Sequence, residues 1–220
     1  MAAGSRTKNR ASKAEQASAT RLRIVEAATK AFLRDGFVTS TMAAIAKEAG
    51  VAVQTLYLSF GSKTAILQAA FDMALKGSDD PNGILEADWF QRVLTEPDGP
   101  AALRLFCVES HHVIARGAPL FNAMRAAAAD PEVAEMLAHN KDLRANAYRL
   151  IADALAGRDG FSPDLSAADA LVIIYTVVSE DSFLLMVTER GWTQARWLAW
   201  TTETSLAQLF PDDRAVTAEM

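Results

Sequence analysis

The stretch "GVAVQTLYLSFGSK", residues 50–63, decides how the chain is read. A glycine opens it, a short apolar segment follows with Val53, Leu56 and Phe60 at helical spacing, and Gly61-Ser62-Lys63 closes it. Glycine just past a helix readily takes the left-handed conformation that stops it, and serine at the next start accepts hydrogen bonds from free amides. Val53, Leu56 and Phe60 are expected to point inward from a helix of about two turns.

Working outward, "TSTMAAIAKEAG" (residues 39–50) has Ser40 or Thr41 as a cap, Met42, Ile45 and Ala46 as a short apolar face, and Gly50 as its stop. Upstream, "TRLRIVEAATKAFLRDG" places Ile24, Ala27, Ala28, Ala31 and Phe32 on one face. Thr20 is the expected cap of that helix and Gly36 its stop. Downstream, Ser62 caps a linker helix running to Gly77. Two short helices joined through a glycine turn form a helix-turn-helix, whose second helix places its N-terminal residues on base edges in the major groove.

Across its 220 residues the chain carries a net charge of −5, which conceals an asymmetry. Residues 1–76 hold 11 basic and 5 acidic side chains, and the remainder holds 11 basic and 22 acidic. A basic end on an acidic body binds polyanions through that end. Residues 1–19 are rich in Ala and Ser, with Arg6, Lys8, Arg10 and Lys13 interspersed and no apolar period, and are expected to be a disordered basic arm. The single cysteine, Cys107, excludes an internal disulfide. No signal-peptide core is present, and the run "ALVIIYTVV" ends in Ser179-Glu180-Asp181. A cytoplasmic protein without a membrane partner is expected.

No stretch alternates apolar and polar residues as a strand would, so the fold is expected to be all-α. Residues 20–78 form the helix-turn-helix domain, with the motif at about 41–60. Turn-forming "SDDPNG" (residues 78–83) ends it, and residues 79–220 form a second helical domain. Helices there are expected over 84–94, 99–116, 119–129, 131–156, 166–190 and 193–210. Pro119 and Pro131 would occupy first-turn positions, and Asp130 and Ser166 would cap.

The quoted segments together resemble the DNA-binding part of the tetracycline-repressor (TetR) family of bacterial transcriptional regulators. The resemblance lies in Gly36-Phe37, the Thr/Ser cap, Ile45-Ala46, Ala49-Gly50-Val51, Thr55-Leu56-Tyr57, Phe60 and Ser62-Lys63. It implies a homodimer with a helix-turn-helix headpiece and a C-terminal regulatory and dimerisation domain that binds a small molecule. It also implies a repressor released by that molecule from a palindromic operator. Carried over by position, Thr41, Ala52, Val53, Gln54, Tyr57 and Lys63 fall where family members touch DNA. By chemistry, Gln54 can make two hydrogen bonds to adenine, and Thr55 or Ala52 can meet a thymine methyl. Lys63 and Tyr57 can each reach a phosphate. Three departures from the family pattern, Ala52, Gln54 and Ser59, stand where serine, glycine and His or Tyr are common.

One recognition helix reads too few base pairs for useful specificity, so two copies are needed. The last two helices are apolar on several faces and are the expected interface, with Tyr175, Val178, Leu185, Trp197, Trp200, Thr201 and Thr204 as its residues. Phe106, Cys107, His111, Phe121, Met124, Tyr148, Tyr175 and Phe183 can line an apolar ligand site. Glu180 joins them, because a buried carboxylate needs a partner such as Arg125, Arg144 or a polar ligand. Cys107 and His111 lie one turn apart but lack a third ligand, so no metal and no cofactor is expected. No phosphate loop, nucleophile elbow or two-histidine motif points to an enzyme. The competing reading is a helical protein-interaction module that does not read DNA sequence.

Overall fold

The computed structural model describes residues 3–77 and 83–211, with side chains described from residue 15 onward. All regular structure among these residues is helical. The helices are α1 (Ala3–Asp35), α2 (Met42–Ala49), α3 (Val53–Phe60), α4 (Lys63–Lys76), α5 (Asp88–Thr95), α6 (Gly99–Ala126), α7 (Pro131–Ala156), α8 (Ala167–Val177), α9 (Glu180–Phe183) and α10 (Gln194–Leu209). A 3₁₀ turn at Ile84–Glu86 precedes α5, and a π-helical segment, Leu184–Glu189, continues α9.

The chain divides into two compact units. The first comprises Met1–Asp72 and Ala123–Ala134, and the second Met73–Asn122 and Glu135–Met220. This division differs from the expected boundary at residue 78. Most of the expected turn at 78–83 lies outside the described residues.

In the first unit, α1 buries Ile24, Ala28 and Phe32, α2 buries Ile45 and Ala46, and α4 adds Ile66, Leu67 and Phe71. The Phe32 and Phe37 rings meet at 5.5 Å across the turn after α1. Gly50, at φ 67, makes the left-handed stop of α2, and its amide donates back to carbonyls of the last turn. The expected start of α1 is corrected: the helix begins at Ala3, so residues 3–19 are helical and Thr20 lies inside the helix. Alanine and straight-chain residues have high helix propensity, and extending an existing helix costs far less than nucleating one. The side chains of Arg6, Lys8, Arg10 and Lys13, and residues 1–2 altogether, lie outside the described residues.

The second unit buries Phe90, Leu103, Phe106, Phe121, Ile151, Ile174, Trp197 and Phe210. Here two helix boundaries differ from expectation. Pro119 lies inside a continuous α6 and not at a first turn. The missing hydrogen bond is outweighed by burial on either side of it, since Ala118, Leu120 and Phe121 are almost fully enclosed. The expected single helix over 166–190 is broken at Val178 and Ser179, although it contains neither proline nor glycine. Side chains satisfy three consecutive carbonyls at the break. Ser179 Oγ donates to Thr176 O at 3.0 Å, Ser182 Oγ to Val177 O at 2.7 Å, and Tyr148 OH to Val178 O at 3.0 Å. Residues Ala167–Glu189 are apolar and long enough to cross a membrane by composition, yet this break and the buried Glu180 interrupt them.

Caps follow the expected chemistry elsewhere. Thr41, Ser62, Asp130, Ser166 and Thr193 each accept an amide at a helix start, and Ser166 with Asp169 forms a reciprocal capping box.

Candidate nucleic-acid interface

Helix α3 turns one face outward. Val53, Gln54, Tyr57 and Leu58 are exposed, with Tyr57 at 54% and Leu58 at 82%, while Leu56 is fully buried. These four fall at i, i+1, i+4 and i+5, which is one side of a helix. Val53 corrects its expected inward orientation: it is 38% exposed and stands on the outer face beside Gln54. Phe60 is half-buried, and Thr55 is half-buried too, so it presents less surface than its neighbours. Ala52 is exposed and gives α3 no side-chain cap. Thr41 is exposed at the start of α2, where its Oγ1 accepts from Ala44 N at 3.1 Å. Thr41, Ala52, Val53, Gln54 and Tyr57 therefore all lie on the surfaces of α2 and α3. Leu58 is the residue that sequence reading passed over, although its spacing of four from Gln54 placed it on the same face.

Lys63 behaves differently from its expected role. Its Nζ donates to Phe37 O at 2.7 Å and Ser40 O at 2.9 Å, and lies 4.2 Å from the centroid of the Phe37 ring. Burial holds its pKa below the usual lysine range, and Asp130 opposes that shift. Two of its three donors are thus engaged inside the headpiece, locking the turn that presents Thr41. Lys63→Met is expected to destabilise the first unit by about 2 kcal/mol, because two half-buried carbonyls lose a charged donor. Urea denaturation followed by circular dichroism measures this. Unchanged stability with a shallower salt dependence of DNA affinity would instead assign Lys63 to a phosphate.

Two exposed headpiece cations also have partners within the chain. Arg34 pairs with Asp35 at 2.8 Å and Glu48 at 3.3 Å, and Arg21 donates to Ser59 O at 2.8 Å. The side-chain hydrogen bond to Arg34 holds Asp35 below the usual carboxylate range. The excess of basic residues in this segment consequently overstates how many charges it offers to phosphates.

In the second unit, expected ligand residues fall into two aromatic groups, one around Tyr148 and one around His111. Phe106 packs edge-on against Tyr148 at 4.9 Å, and Tyr148 against Tyr175 at 6.1 Å. The guanidinium of Arg144 lies 4.2 Å from the centroid of the Tyr175 ring and pairs with Glu180. The His111 ring completes a triangle with Phe183 and Trp197, at 6.4 and 5.7 Å, and its Nδ1 has no hydrogen-bond partner. Burial first, and then His112, push the His111 pKa below the usual imidazole range, favouring the neutral ring. Burial also pushes the Cys107 thiol and the Tyr148 phenol up to about 12, so both stay protonated. Phe121 is buried in this unit, whereas Met124 groups with the first unit. Arg144, four residues before the buried Tyr148 on the same helix face, supplies the partner that Glu180 required.

Three expected interface residues need correction. Val178, Trp197 and Thr201 are completely enclosed by their own chain, which leaves them no surface for a partner. Trp197 packs against Phe183 at 5.2 Å and donates Nε1–H to Ser182 Oγ at 3.1 Å. Tyr175, Trp200 and Thr204 are half-buried, and Leu185 is exposed.

The family model described as "Bacterial regulatory proteins, tetR family" matches residues 24–70, the segment containing α2, α3 and most of α4. The matched headpiece is that of the TetR family of transcriptional regulators. The TetR-family headpiece is 41% identical over 58 residues to the HTH-type transcriptional regulator TtgR of Pseudomonas putida. That segment is 26% of this chain and 28% of TtgR, so the curated relative is matched over about a quarter of its length. A probable HTH-type regulator of Pseudomonas putida, ArpR, matches to the same extent. Among solved structures, NalD, the secondary repressor of the MexAB-OprM multidrug efflux pump in Pseudomonas aeruginosa, has a TM-score of 0.66 at 17% identity. The match covers 90% of this chain and 99% of NalD. FadR from Bacillus subtilis, in complex with stearoyl-CoA, has a TM-score of 0.65 at 17% identity, covering 85% of this chain and 98% of FadR. At such identities these structural likenesses establish the all-helical TetR fold and nothing about ligands.

Proposed function

We propose that this TetR-family regulator is a cytoplasmic homodimer that reads a palindromic operator through α3 and represses transcription until a small molecule binds its C-terminal unit. The observation that carries the DNA-reading part is the outer face of α3. Gln54 stands exposed among Val53, Tyr57 and Leu58, with Thr41 exposed at the start of α2. A glutamine amide can pair with adenine N6 and N7, and the apolar neighbours suit thymine methyls. Tyr57 remains the phosphate-contacting residue in this reading, while Lys63 supports the turn.

The dimer rests on the need for two half-sites, and Tyr175, Leu185, Trp200 and Thr204 retain the exposed surface to form it. The effector site is assigned to the cluster around Phe106, His111, Tyr148, Tyr175, Glu180 and Phe183, with Cys107 at its edge. The chain is read as a non-enzyme, since its side-chain chemistry is that of a binding site.

Selection of bound sequences from random duplex DNA with the purified protein tests the reading. A two-fold symmetric consensus is expected, with half-sites spaced by one helical turn or a multiple of it. Enrichment of no sequence would remove DNA reading and favour a protein-interaction module. Repeating the selection with Gln54→Ala is expected to relax preference at one symmetric pair of positions. The corresponding loss of discrimination is about 1–3 kcal/mol at each position, measured by competition binding.

A further inference from the structure

Arg21 lies on α1, 38 residues from Ser59 near the C-terminal end of α3, and joins the two helices. Its Nη1 donates to Ser59 O at 2.8 Å, and its guanidinium lies 3.9 Å from the centroid of the Phe60 ring. Ser59 O is one of the last four carbonyls of α3, which have no amide of their own helix to accept from. A cation there also meets the negative end of the helix dipole.

Besides this tie, α3 is held by apolar packing, with Thr55, Ser59 and Phe60 half-buried. Leu56 is the buried residue of its eight, and Ala52 contributes no side-chain hydrogen bond at its start. Where relatives commonly place a serine at that start, this chain leaves the N-terminal end without a side-chain tie. The C-terminal end, held by a planar guanidinium against both a ring and a carbonyl, then governs how the outer face is presented. Lysine cannot reproduce this arrangement, because an ammonium neither stacks as a plane nor forks its donors.

We infer that Arg21 is a positioning residue for sequence reading: it sets the pose of α3 from the C-terminal end and does not serve as a phosphate contact. The inference rests on the proposal that α3 reads DNA, but its physical core, the restraint of α3 by Arg21, can be measured without DNA. Both kinds of measurement are therefore needed.

The full-length chain is compared with Arg21→Lys, Arg21→Gln and Phe60→Leu, the last removing the ring and leaving every charge in place. Hydrogen exchange followed by mass spectrometry is expected to show residues 53–60 exchanging about tenfold faster in all three variants, with residues 42–49 unchanged. On the duplex selected above, each variant is expected to bind about tenfold more weakly. The slope of log affinity against log salt should stay the same, and affinity for unrelated duplex should hardly change. A direct phosphate-binding role predicts a different pattern: Arg21→Lys retains affinity, while Arg21→Gln lowers the slope by about 0.9 for each phosphate no longer neutralised. That pattern would overturn the inference, as would unchanged exchange in α3 or equal acceleration of α2 and α3. If the wild-type chain selects no duplex, the DNA-reading proposal fails, and exchange alone then decides whether Arg21 restrains α3.

Discussion

Replacing Glu180 by alanine is expected to destabilise the protein by about 3–5 kcal/mol. The carboxylate is paired with Arg144, and their side chains are only 7% and 12% exposed. Removing the carboxylate leaves the guanidinium in an interior lined by Tyr175 and Tyr148, with its Nε already lacking a hydrogen-bond partner. The cost is that of a stranded charge and exceeds the net worth of the pair, because both ions were desolvated on folding. A double variant, Arg144→Met with Glu180→Leu, should therefore recover most of the loss. Thermal unfolding checks both: the single variant should melt roughly 10 °C lower for a chain of this size, and the double variant close to wild type. Equal destabilisation of the two would mean that the ion pair does more than neutralise itself, for instance by maintaining the break at Val178 and Ser179.

The second large effect is expected at Trp197. Its side chain is wholly enclosed, packs on Phe183 and His111, and donates to Ser182. Trp197→Ala should cost about 3–5 kcal/mol through reduced burial and the cavity left behind. The concentration dependence of unfolding tells whether that cost belongs to the core or to an interface. A core residue lowers the melting temperature by nearly the same amount at every protein concentration, whereas loss of an interface contact has little effect where the protein is monomeric and a growing effect as concentration rises through the dissociation constant of the dimer. Truncating Trp200, which is half-buried, should show the second behaviour if the proposed dimer is formed there.

The headpiece was largely legible in the amino-acid sequence because its signals are local. Each stop of a short helix is a glycine, each start but one has a hydroxyl that caps it, and the apolar faces repeat every three or four residues. Gly36, Gly50 and Gly61 indeed take positive φ, and Thr41 and Ser62 accept amides at helix starts. Inside the same unit, local reading missed the outward orientation of Val53 and the internal hydrogen bonds of Lys63. Both have neighbours distant in sequence or in the helix register. An apolar residue at the first position of α3 resembles a core residue until the whole face is seen, and a lysine after a helix stop resembles a phosphate contact until Phe37 and Ser40 close around it.

Local pattern thus determined the all-helical class, the helix-turn-helix and its caps, because hydrogen bonding to near neighbours and helical periodicity depend on residues a few positions apart. Long-range packing decided the rest. It carried α6 through Pro119 and broke the helix at Val178 and Ser179, where Tyr148, 30 residues away, supplies a donor to a freed carbonyl. It also paired Glu180 with Arg144, enclosed Trp197 and drew the Lys63 ammonium onto Phe37 and Ser40. In each case burial and desolvation depend on atoms that no window of adjacent residues contains, and their free energies exceed those of local preference.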